Sequence, residues 1–285
     1  MALRNAARPN QIGVCSWSLQ PDGPQSLVQR VERTGAQRVQ LALDPLRSGA
    51  WDIDETVDRL RDAGIEVRSG MLEMAGEDYS TLDSIRETGG VRSDDRWPEN
   101  LRAAEENCRL AQRLGLSLVT FHAGFLPHEA GDPLRRTMID RLRTLARLFA
   151  DAKIRVALET GQETADTLLD VLDEFDEPNV GVNFDPANMI LYGMGDPIAA
   201  LRALRGRVFQ IHVKDAIATE QPGQWGTEVV AGSGEVDWDA FFAALGEGDF
   251  SPVDWIVERE AGDDRVGDVR RAVELVKPYL EGASR

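Results

Sequence analysis

Eight short apolar runs, each followed by a stretch of helical periodicity, dominate this chain and limit what it can fold into. The runs are "IGVCSWS" from Ile12, "RVQLAL" from Arg38, "IEVRSGML" from Ile65, "LSLVTFHAG" from Leu116, "IRVALET" from Ile154, "VGVNFD" from Val180, "RVFQIHV" from Arg207 and "DWIVERE" from Asp254. Several are apolar almost throughout, as strands covered on both faces by helices are. Between them, apolar residues recur at helical spacing: Leu27, Val28 and Val31; Ile53, Val57 and Leu60; Leu101, Ala104, Cys108 and Ala111. The pattern continues with Met138, Leu142, Leu145 and Phe149, then Leu168, Leu169, Leu172 and Phe175, and finally Val269, Val273, Val276 and Leu280.

The punctuation agrees. "GDP" at 131–133 and at 195–197 offers an Asp N-cap followed by Pro at the first helical position. Gly35, Gly64 and Gly115 each stand between a helix and the next strand, where a left-handed cap residue belongs. Eight strand–helix units in 285 residues predict a single (β/α)8 TIM barrel spanning residues 1–285. A doubly wound open sheet is the alternative, but no G-x-G-x-x-G follows the first run. No repeat or linker divides the chain. The polar, irregular stretch 75–100 is too long for a plain connection, and after a third barrel strand it lies over the active-site mouth. A surface insertion without function is the other reading.

Composition narrows the partners. A formal net charge of −17 repels nucleic acid and anionic membrane surfaces. Cys15 and Cys108 are the only cysteines, so a disulfide framework is not expected and the cytoplasm is the default location. The first ten residues lack the apolar run of a signal peptide, and no segment approaches the ~18 apolar residues of a membrane span.

Polar groups gather at the far ends of the later runs, which in a barrel is where catalytic groups sit. The fourth run reaches His122, the fifth Glu159, the sixth Asp185, the seventh His212, Lys214 and Asp215, and the eighth Glu258. Buried singly, such groups are costly. Glu159, Asp185, His212 and Glu258, from four successive strands, can instead converge on one divalent cation. Three carboxylates and one imidazole suit Mn²⁺, the expected ion, or Mg²⁺, with Co²⁺ and Zn²⁺ as further alternatives because of the nitrogen. Each residue taken singly has a plainer reading: a salt-bridged or capping Glu, a turn-capping Asp185 ahead of Pro186, a hydrogen-bonded core histidine. Their joint occurrence on strands five to eight favours the metal.

The ordered pieces "ALETGQET", "NFDPANM", "QIHVKDA", "GSGEVDW" and "IVERE" resemble the sugar phosphate isomerase/epimerase group of xylose isomerase-like TIM barrels. The resemblance implies a divalent metal held by Glu159, Asp185, His212 and Glu258. It also implies that Glu159 and Glu258 face opposite sides of a substrate, a sugar, sugar phosphate or keto-sugar, and move protons through an enediolate, epimerising or isomerising it. Asn188 stands where family epimerases of free ketoses carry a histidine, and an amide does not titrate.

Further candidates for substrate binding are His122, Asn188, Lys214 and two aromatic walls, Trp17 and Trp225. His122 and Lys214 have structural readings of equal weight, and either tryptophan can instead be core. Lys214 or Asp215 is expected to shape the rim. Arg259 is expected to point away from Glu258 by strand alternation. Gly232 and Gly234 form a loop whose spacing matches no phosphate-binding turn. A lyase or dehydratase on a keto-acid or keto-glycoside shares the same metal chemistry. A non-catalytic binding barrel is less compatible with two intact glutamates. An abasic-site endonuclease needs more histidines than His122, His128 and His212 and a less acidic chain. The expected partners are therefore a small carbohydrate and, at most, further copies of the chain.

Overall fold

The computed structural model describes residues 12–221, 223–247 and 253–282. The chain runs β1 (Ile12–Cys15), α1 (Pro24–Thr34), β2 (Arg38–Ala42), α2 (Asp44–Arg47), α3 (Ile53–Asp62), β3 (Glu66–Met71), α4 (Leu82–Thr88) and α5 (Trp97–Arg113). It continues β4 (Leu118–Phe121), α6 (Pro133–Asp151), β5 (Arg155–Glu159), α7 (Ala165–Phe175), β6 (Val180–Phe184), α8 (Pro186–Tyr192) and α9 (Pro197–Leu204). The last part is β7 (Val208–Val213), β8 (Asp215–Ile217), β9 (Thr227–Val229), α10 (Trp238–Gly246), β10 (Asp254–Val257) and α11 (Arg265–Gly282). Eight strands close a barrel in the order β1-β10-β7-β6-β5-β4-β3-β2, and the pairings around it are parallel. This is the (β/α)8 barrel the alternating pattern predicts, and it excludes the open sheet.

The helices form where the apolar stripes lie. On α6, Met138, Leu142, Leu145 and Phe149 are each no more than 2% exposed. Burying side chains of this size stabilises by about 1.5–3 kcal/mol each. Asp132 and Asp196 cap α6 and α9 as the two "GDP" motifs require, accepting from Leu134 N and Ala199 N. Gly35, Gly64 and Gly115 all adopt positive φ past their helix ends.

Three features depart from the expected pattern. The stretch 75–100 holds a helix, α4, started by a capping box between Thr81 and Ser84, and then the first turn of α5. Asp185 starts α8 directly at the end of β6, a helix too short for periodicity to reveal. After β7 the chain forms an antiparallel hairpin, β8 with β9, outside the barrel. The first ten residues lie outside those described. Among the described residues no helix is long and apolar enough to cross a membrane.

The barrel bore is polar. Alternate residues of a strand share a face, so Arg38 and Gln40, Asn183 and Asp185, and Gln210, His212 and Lys214 point inward together. At the N-terminal end Arg38, 4% exposed, pairs with Asp254 at 2.5 Å and Glu66 at 3.3 Å. In the middle, Ser69 donates to Gln210, Gln210 donates to Asn183, and Gln40 donates to Thr120. The candidate site sits above this layer.

Candidate metal centre and substrate cavity

Glu159, Asp185, His212 and Glu258 come from the C-terminal ends of β5, β6, β7 and β10 and meet in one buried cluster. One ligand-type atom from each lies within 4.8 Å of the others. His212 Nδ1 is 3.4 Å from Glu159 Oε1, 3.4 Å from Glu258 Oε2 and 3.7 Å from Asp185 Oδ2. His212 Nδ1 and Asp185 Oδ2 are buried with no hydrogen-bond partner. Burying such groups unpaired is costly. A divalent cation between them satisfies both, and three carboxylates with one imidazole suit one. The residues therefore fit the ion.

The surroundings orient these atoms. His212 Nε2 lies 2.8 Å from Gln40 Oε1 and 3.0 Å from Asn183 Nδ2; Gln40 Oε1 can only accept and Asn183 donates to Glu159, which assigns the ring proton to Nε2. Gln40 is held the right way round by its donation to Thr120 at 2.7 Å. Nδ1 is thereby directed into the cluster, where it would be a bare acceptor toward a bound cation; without one, burial opposes charge on the ring but the carboxylates around it raise its pKa well above the ordinary value. Asp185 divides its carboxylate: Oδ1 accepts from the Ala187 and Asn188 amides at 2.8 and 3.0 Å, capping α8, and Oδ2 is free. The capping reading of this aspartate is thus met by Oδ1, while Oδ2, 4.0 Å from Lys214 Nζ, accepts no hydrogen bond. Asn183 donates to Glu159 Oε2 at 3.1 Å, and Asn188 donates to Glu159 Oε1 at 2.9 Å. Trp17 Nε1 donates to Glu258 Oε1 at 3.0 Å, and Lys214 Nζ donates to Glu258 Oε2 at 2.8 Å.

Electrostatics separates the carboxyls. Burial opposes charge on Glu258, but Lys214 and His212 outweigh it and hold the group well below the usual carboxylate range. Burial also opposes charge on Glu159, and His212 and His122 lower its pKa in spite of it. Asp185 goes the other way: burial dominates and raises it to about 6.

A cavity of about 590 Å³ opens over the cluster. His122, Asn188, Lys214, Trp17 and Trp225 all line it. His122 Nε2 stands 3.8 Å from Glu159, and its Nδ1 has no partner. Trp225 packs edge-on against Tyr192, their centroids 4.8 Å apart. From the 75–100 stretch, Glu77 and Tyr79 also reach this cavity.

Asp215 does not shape the rim as expected. It is fully buried and anchors the loop that follows β9, accepting from the Gly232, Gly234 and Val236 amides and Trp238 Nε1. Arg259 does turn away from the cavity, to Glu228 and Asp268. Sequence reasoning missed Gln40, Asn183 and Gln210 beneath the cluster and Glu260 beside Lys214. The one available signal is that polar residues stand two apart inside apolar runs, as in Gln210–His212–Lys214 and Asn183–Asp185, which gives the shared face but not the partner.

With the fold and the site described, comparison with known proteins places them. The family model for the xylose isomerase-like TIM barrel matches residues 28–279, and the chain belongs to that family. Among solved structures, a xylose isomerase domain protein from Planctomyces limnophilus is 30% identical, with a TM-score of 0.84 over 90% of this chain and 93% of that one. An L-ribulose 3-epimerase is 18% identical, with a TM-score of 0.74 over 97% and 96%. A xylose isomerase-like TIM barrel protein from Mycobacterium smegmatis, in complex with magnesium, is 17% identical, with a TM-score of 0.72 over 96% and 98%. No curated protein matches the sequence.

Proposed function

We propose that the protein is a divalent-metal-dependent isomerase or epimerase of a sugar carrying a hydroxyketone, working by proton transfer from Glu159 and Glu258. The observation that carries this reading is the buried quartet with Nδ1 of His212 and Oδ2 of Asp185 left unpaired at its centre. The family and its epimerase and magnesium-bound relatives support it. When bound by the quartet, a Mn²⁺ or Mg²⁺ ion supplies Lewis-acid stabilisation of the negative charge that enolisation creates.

The chain's own residues do the rest. Glu159 and Glu258 enter from strands on different sides of the cluster, and each is held by its own donors. Asn183 and Asn188 fix Glu159; Trp17 and Lys214 fix Glu258. One carboxylate removes the proton beside the carbonyl; either it returns that proton to the neighbouring carbon, or the other glutamate, having first taken a proton from water, delivers it to the opposite face while the first releases its own to water. Burial opposes charge on both carboxyls, yet their neighbours hold both below the ordinary range, so both rest as carboxylates. Asn188 does not titrate and acts by orienting Glu159 through its amide N–H. The aromatic walls exclude water and pack the carbon face of the sugar.

The test is α-hydrogen exchange. Metal-loaded protein in D₂O is incubated with a panel of ketoses and keto-glycosides, and deuterium beside the carbonyl is read by NMR. Incorporation into at least one sugar, abolished by EDTA, is expected. Loss of water from the substrate instead of exchange identifies a dehydratase, and no reaction with any sugar removes the reading.

A further inference from the structure

The proposed reading says that the substrate is a sugar and leaves its other substituents open. Most groups around the cavity that bind anions by nature are already committed; His122 is the exception, its Nε2 3.8 Å from Glu159 and its Nδ1 without a partner, and it stands over the quartet, where the reacting ring sits. Lys214 is the one lysine or arginine among the described residues lining the cavity. Its ammonium has three donors, and they go to Glu258 at 2.8 Å, Glu260 at 2.6 Å and Asn188 at 3.2 Å. Arg259 is buried between Glu228 at 2.6 Å and Asp268 at 2.9 Å. The Gly-rich turn at 232–234 has the look of an anion cradle, yet its amides donate to Asp215 at 2.8 and 3.1 Å. A Cβ on Gly234 would collide with Asp215 Oδ1, so the glycine is there to let the loop close on its own carboxylate.

What faces the cavity is negative. Asp44, Glu73, Glu77, Glu228 and Glu260 line it. Asp44 is paired with Arg47 at 2.7 Å and Glu228 with Arg259. No cationic side chain among the described residues lies within ion-pair distance of Glu73 or Glu77. Carboxylates in a low-dielectric cleft concentrate a negative field. They repel a phosphate or a second carboxylate, and they accept hydrogen bonds from hydroxyls.

The space is also larger than one sugar ring. Asp44 and Glu73 form a wall common to this cavity and to a second one of about 470 Å³. The second cavity lies against α5 and is lined by Glu99, Asn100 and Glu106 together with Arg102 and Arg47, the latter held by Asp44 at 2.7 Å and Glu106 at 3.5 Å. From these observations we infer that the substrate is an uncharged glycoside, not a sugar phosphate. Its keto-sugar ring sits over the quartet, and its second, hydroxyl-rich unit reaches across Glu73 and Asp44 toward the outer cavity. This rests on the proposed function for the position of the reacting ring.

A matched series tests it: D-fructose, D-fructose 6-phosphate and isomaltulose. These share the same hydroxyketone and differ only at O6, which carries hydrogen, phosphate or glucose. Binding to the magnesium-loaded protein is measured by calorimetry, and deuterium exchange is recorded in parallel. Isomaltulose is expected to bind at least about tenfold tighter than the phosphate and tighter than fructose. Glu73→Gln should narrow the gap between isomaltulose and fructose. The phosphate binding as tightly as isomaltulose, or fructose as tightly as isomaltulose, overturns the inference. Binding in the expected order without exchange upholds the pocket assignment and counts against the proton-transfer reading alone.

Discussion

His212 turns Nε2 to the side-chain carbonyl of Gln40 at 2.8 Å, and this hydrogen bond directs Nδ1 at three carboxylates. Gln40 is on β2, across the bore from β7, so a residue remote in sequence sets the tautomer of the only nitrogen in the quartet. Replacing Gln40 by Leu should strand the Nε2 proton and free the ring to change tautomer. Loss of such an orienting partner weakens metal sites by about 10–100-fold. Metal dissociation constants for the wild type and the variant measure this; equal values would show that the ring is oriented by something else.

Glu159→Gln and Glu258→Gln keep the shape of each side chain and an oxygen facing the cluster, and remove the base. Each should lower turnover of any substrate by roughly 10²-fold or more, the scale of general acid–base catalysis. Unequal effects on exchange at the two faces of the α-carbon would assign one glutamate to each. A variant with wild-type exchange on both faces removes that glutamate from the chemistry.

Gly161 has φ 135°, and a Cβ there would run into Cβ of Asn188. Asn188 in turn holds Glu159 at 2.9 Å and accepts from Lys214 at 3.2 Å. Gly161→Ala should cost about 1–3 kcal/mol of stability through backbone strain and displace Asn188 from Glu159. A thermal melt with an unchanged midpoint would contradict the reading.

Glu163 follows β5 in a buried position, and burial alone raises its carboxyl to about 8 from a reference of 4.5. Between those two values the folded chain holds a proton that the unfolded chain has lost. Stability from this group is therefore full below pH 4.5 and falls as pH rises toward 8. Glu163→Gln removes the titration, so its melting midpoint should overtake that of the wild type as pH rises through this window. Parallel curves would place the Glu163 pKa in the ordinary range.

The barrel was legible because its signals are local and repeated. Alternating runs, Asp–Pro starts such as Asp132–Pro133 and glycine stops such as Gly35 each report on a few neighbouring residues. The quartet was legible for a related reason: burying Glu159, Asp185, His212 or Glu258 at a strand end demands a partner, and four such demands on adjacent strands point to one place. What surrounds the quartet was not. Gln40, Asn183 and Gln210 act through contacts between strands, and a lone amide in an apolar run gives no sign of which strand it will face. Asp215 misled because it adjoins His212 and Lys214 in sequence, whereas the strand alternation that sends Lys214 inward sends Asp215 to the loop at 232–238. The helix within 75–100 was hidden by its polar face, and only the capping pair Thr81 and Ser84 marks where it begins.

The most direct test of the account is whether the quartet holds one divalent ion through His212. Protein stripped with chelator is titrated with Mn²⁺ in a calorimeter, beside a His212→Ala variant whose fold is checked by circular dichroism. The account predicts one ion per chain for the wild type, and no saturable binding for the folded variant. Equal binding by both proteins, or none by the wild type, would contradict it.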